Sequence, residues 1–140
     1  VAVGKASALA AEQNGRSIPL KVSGAWHSAL IHGAEKDFKE FLESIPFSPP
    51  HMPVLHNVTA DSTQDPHEVR QLMVTQLCHP VKWYDTMCRL MKEEIEIFVE
   101  VGPGNVLAGL LKKTIPEEYP HQVFRVNDMK TLEMFFAAVL

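Results

Sequence analysis

The sequence is poor in several things, and each shortage removes a class of protein. Only two cysteines, Cys78 and Cys88, occur in 140 residues, with no CxxC pairing. That argues against a disulfide scaffold and against a cysteine-rich zinc site, and it fits a reduced, cytoplasmic setting. There is no basic excess: 13 Lys and Arg face 17 Asp and Glu, a net charge of −4. Nucleic-acid binders carry basic stripes, so nucleic acid is not an expected partner. No apolar run approaches the roughly 20 residues of a membrane span, so a membrane is not expected either. No signal peptide is visible, and no repeat or low-complexity linker. The first residue is not Met. The chain opens on Val1-Ala2-Val3-Gly4, an apolar strand-like stub, and closes on Ala138-Val139-Leu140 inside an apolar-periodic segment. The expectation is a cut through something larger.

Two catalytic signatures are also missing. The turn Gly102-Pro103-Gly104 lacks the spacing of a phosphate loop, and Pro103 removes an N–H that such a loop needs. A nucleophile elbow requires GxSxG between a strand and a helix. None of Ser7, Ser17, Ser23, Ser28, Ser44, Ser48 and Ser62 has glycine at both −2 and +2.

What remains is a chain 46% hydrophobic and 21% charged, enough apolar matter for a core. Residues 5–14 are rich in Ala and Leu and predict a helix stopped by Asn14-Gly15. Residues 18–22 read as a strand. Leu30, Ile31, Ala34, Phe38, Phe41, Leu42 and Ile45 form one helical stripe, ended by Pro46, Pro49, Pro50 and Pro53. Residues 54–58 read as a second strand. Asp65-Pro66 marks a helix start, with Val69, Leu72, Met73 and Leu77 on its inner face. Pro80 breaks it, and Trp83, Met87, Leu90 and Met91 resume the period. The apolar run 95–101 predicts a strand covered on both faces. Asn105 is a candidate N-cap for a helix carrying Val106 to Leu111. Residues 122–126 predict a last strand, and Asp128 caps a final helix. Strands alternating with helices predict an α/β fold with a largely parallel sheet.

In such folds chemistry gathers beyond the carboxyl ends of strands. Three places qualify: residues 23–28, Asn57, and residues 102–105. His27 there is either a general base, since a neutral imidazole accepts a proton near neutral pH, or a histidine satisfying backbone groups at a helix start. The pairs His27/His32 and His51/His56 are each five apart, not the i, i+4 spacing of a helical metal site. His121 lies in a proline-flanked loop. No metal is expected. Cys78 and Cys88, placed in amphipathic helices, read as buried hydrophobes rather than activated nucleophiles. The residues alone offer a candidate base with nothing to activate.

Four segments in series carry a resemblance: Val22-Ser23-Gly24-Ala25-Trp26-His27-Ser28, Pro53-Val54-Leu55-His56-Asn57-Val58, Gln76-Leu77-Cys78-His79-Pro80-Val81-Lys82-Trp83, and Glu100-Val101-Gly102-Pro103-Gly104-Asn105-Val106-Leu107. In this order they resemble the C-terminal part of malonyl-CoA:acyl carrier protein transacylases and the related acyltransferase domains of fatty-acid and polyketide synthases. The resemblance implies an α/β-hydrolase-like fold. Residues 1–19 would be the tail of a small ferredoxin-like subdomain, and residues 20–140 the C-terminal part of the large subdomain.

It further implies a serine–histidine acyl transfer, in which a serine takes the malonyl group from the coenzyme A thioester and passes it to the phosphopantetheine thiol of acyl carrier protein. Malonyl-CoA is substrate, and no cofactor is bound. His27 matches the catalytic histidine. Gln76 matches the glutamine whose backbone carbonyl orients that histidine. Trp26 matches the position that sets extender choice and resembles the malonyl-selective form, although Gly24 departs from both common synthase patterns. Val22 and Val106 match pocket-lining positions, or else are core valines. The family's serine, oxyanion glutamine and carboxylate-binding arginine fall upstream of Val1. The resemblance therefore predicts an inactive piece with exposed sheet edges, completed by an N-terminal partner. An acyltransferase domain of a polyketide synthase and a non-catalytic carrier-protein docking module are the alternatives.

Overall fold

In a computed structural model, residues 2–19 and 22–140 are described. Helix α1 spans Ala2–Glu12. A short 3-10 turn, Ala29–Ile31, leads into α2, Gly33–Glu43. Helices α3, Pro66–Thr75, and α4, Trp83–Lys92, follow. Strand β1, Ile97–Val101, helix α5, Val106–Thr114, strand β2, Gln122–Val126, and helix α6, Met129–Val139, complete the order. The strands pair in parallel, Ile97 opposite Gln122 and Val101 opposite Val126, with α5 as the crossover. This is the expected α/β unit, with a parallel sheet of two strands among the described residues.

Several elements follow directly from local chemistry. Asp65 Oδ1 accepts from the His67 N–H at 2.9 Å and caps α3, with Pro66 in its first turn. Asp128 and Thr131 form a reciprocal capping box at α6. The Asn14-Gly15 stop ends α1, where the Gly15 N–H donates to Ala10 O at 2.7 Å. A Cβ on Gly15 would stand 2.9 Å from that oxygen, so glycine is required.

Other expectations are corrected. The stub at residues 2–4 is helical, because Ala2 and Val3 simply continue the Ala-rich face of α1. Of the strand expected at 18–22, Leu20 and Lys21 lie outside the described residues, and Ile18, Pro19 and Val22 are not strand. The strand expected at 54–58 reduces to one antiparallel bridge, Leu55 with Ser62. A ladder needs a neighbour, and here the chain turns back within a few residues, with Ala60 at φ 55°. The single stripe from Leu30 to Ile45 is interrupted at His32, where the 3-10 turn gives way to α2.

Cys78 sits not in a helix but in the turn after α3, where it is buried; Cys88 lies in α4. Asn105 holds the N-cap position of α5 but makes no capping bond with its side chain. Glu100 supplies it instead: its two carboxylate oxygens accept from the Leu107 and Ala108 N–H groups, each at 3.0 Å. The carboxylate at the end of β1 thus answers the orphan donors and positive pole of α5.

The core is small. Met87, Phe98, Leu111 and Ile115 form it, ringed by Trp83, Leu90, Met91 and Tyr119. The Trp83 indole N–H donates to Thr114 Oγ1 at 3.0 Å and locks α4 to α5. β1 is not covered on both faces: Phe98 is inside, but Ile97 and Val101 are exposed, as are Val123, Leu107 and Leu110. The accessible surface is 10895 Å², against roughly 7,300 Å² for a compact monomer of this mass. An apolar sheet face and helix face are open. Among the described residues no helix is long and apolar enough to cross a membrane.

Candidate active site

The site is assembled at the C-terminal end of α3. A helix leaves its last carbonyls without intrahelical donors. Here the Val74 carbonyl accepts from the Leu77 N–H, and the Thr75 carbonyl accepts from the Cys78 N–H and from the His79 ring at 2.8 Å. Gln76 is still helical, at φ −61° and ψ −22°. The helical donor for its carbonyl would be the N–H of residue 80, but residue 80 is proline and has none. The Gln76 carbonyl is left for another partner.

That partner is His27. Its ring Nδ1–H donates to Gln76 O at 2.8 Å, and its main-chain N–H donates to Leu77 O at 2.9 Å. Two adjacent carbonyls thus hold one residue by backbone and side chain together. His27 adopts φ 60°, a left-handed conformation that costs of the order of 1–3 kcal/mol for a non-glycine residue. Ser28 fixes the turn beyond it, donating its hydroxyl to Ala25 O at 2.7 Å and capping the 3-10 turn. With Nδ1 committed as a donor, the neutral ring of this exposed residue presents Nε2 as an acceptor with no hydrogen-bond partner among the described residues. The ring thus sits against the C-terminal end of α3.

The second resemblance segment arrives at the same place. Asn57 Nδ2 donates to Gln76 Oε1 at 3.2 Å, and Asn57 O accepts from the Lys82 N–H at 2.8 Å. Of the three places marked from sequence, residues 23–28 and Asn57 therefore meet at Gln76. Residues 102–105 instead make the β1-to-α5 turn, where Gly102 and Gly104 have φ of 124° and 104°. Trp26 is exposed and its ring lies over Gly24, where an added Cβ would come within 3.2 Å of it. Val22 and Val106 are both exposed in this chain and take no part in its core. Arg89 pairs with Asp61 and Glu93, tying the 55–62 loop to α4. The Ser62 N–H, then the Arg89 guanidinium, hold the Asp61 carboxyl below its usual range.

One grouping has no signal in the spacing of the sequence. His32 and Glu35 at the head of α2 meet Cys78, with ligand atoms all within 4.8 Å of one another. Their separation along the chain hides them. The same separation hides the two His27 contacts, of which the family resemblance implies only the one to the Gln76 carbonyl.

No protein-family model matches the chain. Individual proteins do. It is 35% identical over 126 residues to the malonyl CoA-acyl carrier protein transacylase of Bacillus subtilis, covering 89% of this chain and 39% of that protein. It is 45% identical over 96 residues to PksC, a polyketide biosynthesis malonyl CoA-acyl carrier protein transacylase of the same organism, covering 69% of this chain and 33% of that one. Its fold superposes on the crystal structure of FabD from Acinetobacter baumannii with a TM-score of 0.86 at 34% identity, over 97% of this chain and 42% of FabD. The chain belongs to the malonyl CoA-acyl carrier protein transacylase family. Transacylases of this family are more than twice its length, and the shares covered are consistent with a C-terminal portion.

Proposed function

We propose that this chain supplies the general base of a serine–histidine malonyl transfer, and that the serine stands in the remainder of the transacylase. The observation that carries the reading is the 2.8 Å hydrogen bond from His27 Nδ1–H to Gln76 O. It performs the orienting task that a carboxylate performs in the usual triad. His27 Nε2 takes the proton of the serine hydroxyl as its oxygen attacks the malonyl thioester. The C–S bond breaks, the imidazolium returns the proton to the departing coenzyme A sulfur, and malonyl-serine remains. The thiol of the carrier protein's phosphopantetheine arm then gives its proton to Nε2 and attacks the ester. Serine leaves and takes that proton back. The reaction draws on side chains and on malonyl-CoA as substrate; it calls for no bound cofactor.

Trp26, beside His27, is proposed to crowd the α-substituent of the acyl group and so favour malonyl over methylmalonyl. Val22 and Val106, exposed in this chain, would line the pocket once the remainder of the enzyme covers them. The open faces of β1 and α5 support that assembly, since patches of this kind normally meet a partner. The partner proposed is the N-terminal part that bears the serine. The division into residues 1–19 and residues 20–140 belongs to the same proposal.

Mass spectrometry of the whole protein after mixing with malonyl-CoA tests the division of labour. A malonyl ester is expected on one serine outside these 140 residues, and none on the isolated chain. An ester on Ser23 or Ser28, or on no serine at all, would overturn it.

A further inference from the structure

His32, Glu35 and Cys78 bring an imidazole Nδ1, a carboxylate oxygen and a thiol sulfur within 4.8 Å of one another. These are three donor types that zinc accepts together. His32 Nδ1–H already donates to Glu35 Oε2 at 3.0 Å, and the two sit at i and i+3 across the start of α2. Cys78 comes from the turn after α3 and is buried, while His32 is exposed, so the group has a dry floor and an open mouth. Tetrahedral zinc, with bonds of about 2.0–2.3 Å, sets its ligands roughly 3.3–3.6 Å apart. From 4.8 Å the widest pair would have to close by about 1.2 Å on binding, with His32 and Glu35, neither of them buried, as the side chains to move.

We propose that His32, Glu35 and Cys78 form a mononuclear site for zinc or a similar borderline-soft divalent cation, with water in the fourth position. The malonyl transfer does not use it. The metal is held by a thiolate, so binding releases the Cys78 proton to solvent. The Nδ1 proton of neutral His32 moves to Nε2, freeing the lone pair for the metal. Without metal, burial first and then the Glu35 carboxylate hold the Cys78 thiol above its ordinary range, so it rests as the thiol. His32, by hydrogen bonding, leads the groups that hold Glu35 below the usual carboxylate range, and His79 adds to this from the side. The carboxylate is therefore ionised and available. Hard cations such as magnesium prefer oxygen donors and are not expected to bind. A metal here would tie the head of α2 to the turn that begins at Gln76.

Cobalt(II) titration of the whole protein, purified without metal and in the reduced state, tests the site. One equivalent should bind, giving a thiolate-to-cobalt charge-transfer band in the near ultraviolet that zinc abolishes and magnesium leaves unchanged. Cys88→Ser should keep the band and Cys78→Ser should lose it. Glu35→Gln and His32→Asn change side chains that are not buried and leave the core intact; each should weaken binding at least tenfold. A wild-type protein with no band overturns the proposal. So does a band that survives Cys78→Ser, or tenfold weakening in neither Glu35→Gln nor His32→Asn, whatever Cys78→Ser does to folding.

Discussion

The ring of His27 donates its Nδ1–H to the main-chain oxygen of Gln76 across 2.8 Å, while the Gln76 side chain turns the other way, to Asn57. Orientation of the His27 ring, the base in the proposed reaction, therefore rests on a backbone atom. That atom is free because Pro80 offers no N–H at the fourth position along.

Pro80→Ala restores an N–H that can compete for the Gln76 carbonyl by continuing the helix. The expected result is a drop in kcat of about tenfold, equivalent to ~1.4 kcal/mol of barrier, with KM for malonyl-CoA little changed. Thermal stability should change little, since residue 80 lies between α3 and α4 and in neither. Unchanged kcat would mean that the carbonyl does not need this protection.

Glu100→Ala removes both acceptors from the first turn of α5. Loss of a helix cap costs about 1 kcal/mol, visible as a lower midpoint in urea. Glu100→Gln keeps one good acceptor and should lose less. Equal losses in the two variants would show that the charge, not the hydrogen bonding, matters.

The Asp128 carboxylate accepts from the Thr131 N–H at 2.7 Å, which holds its pKa below the ordinary aspartate value of 3.8. A depressed carboxylate contributes stability that is complete above the unfolded value and lost as pH falls through the folded one. Urea midpoints measured downward from neutral pH should therefore fall below about pH 4. The fall should be shallower in Asp128→Asn. Identical pH profiles would remove this cap from the account.

Trp26→Ala opens space beside His27. If the ring excludes the methyl branch, the ratio of kcat/KM for malonyl-CoA over methylmalonyl-CoA should shrink by an amount worth roughly 1–3 kcal/mol. A ratio that stays put would assign the indole to packing over Gly24 alone.

The helices and the two paired strands were readable because their signals are local. Asp65-Pro66, the 3.6-residue stripes and the apolar run ending at Val101 each act within a few residues. The strand expected at 54–58 shrinks to one bridge because pairing requires a neighbour, and Ile18, Pro19 and Val22, the described part of 18–22, are not strand. Coverage of β1 was overestimated for a related reason: Ile97 and Val101 are apolar as if covered, but the described residues that surround them leave that face open. At the site, His27 stood out by its place after an expected strand. Its link to Gln76 spans 49 positions, and the Cys78 link to Glu35 spans 43. No periodicity reaches so far, so only the family resemblance pointed to the first contact, and nothing pointed to the second.

In the proposed reaction His27 is the base and only the backbone of Gln76 orients it. The direct measurement is the rate of malonyl transfer from malonyl-CoA to holo acyl carrier protein by the whole enzyme, comparing His27→Ala with Gln76→Ala. His27→Ala should lose transfer by on the order of 10²–10⁴-fold, and Gln76→Ala should stay within about tenfold of the parent, or ~1.4 kcal/mol. Near-parental transfer by His27→Ala, or a collapse in Gln76→Ala as deep as in His27→Ala, would contradict it.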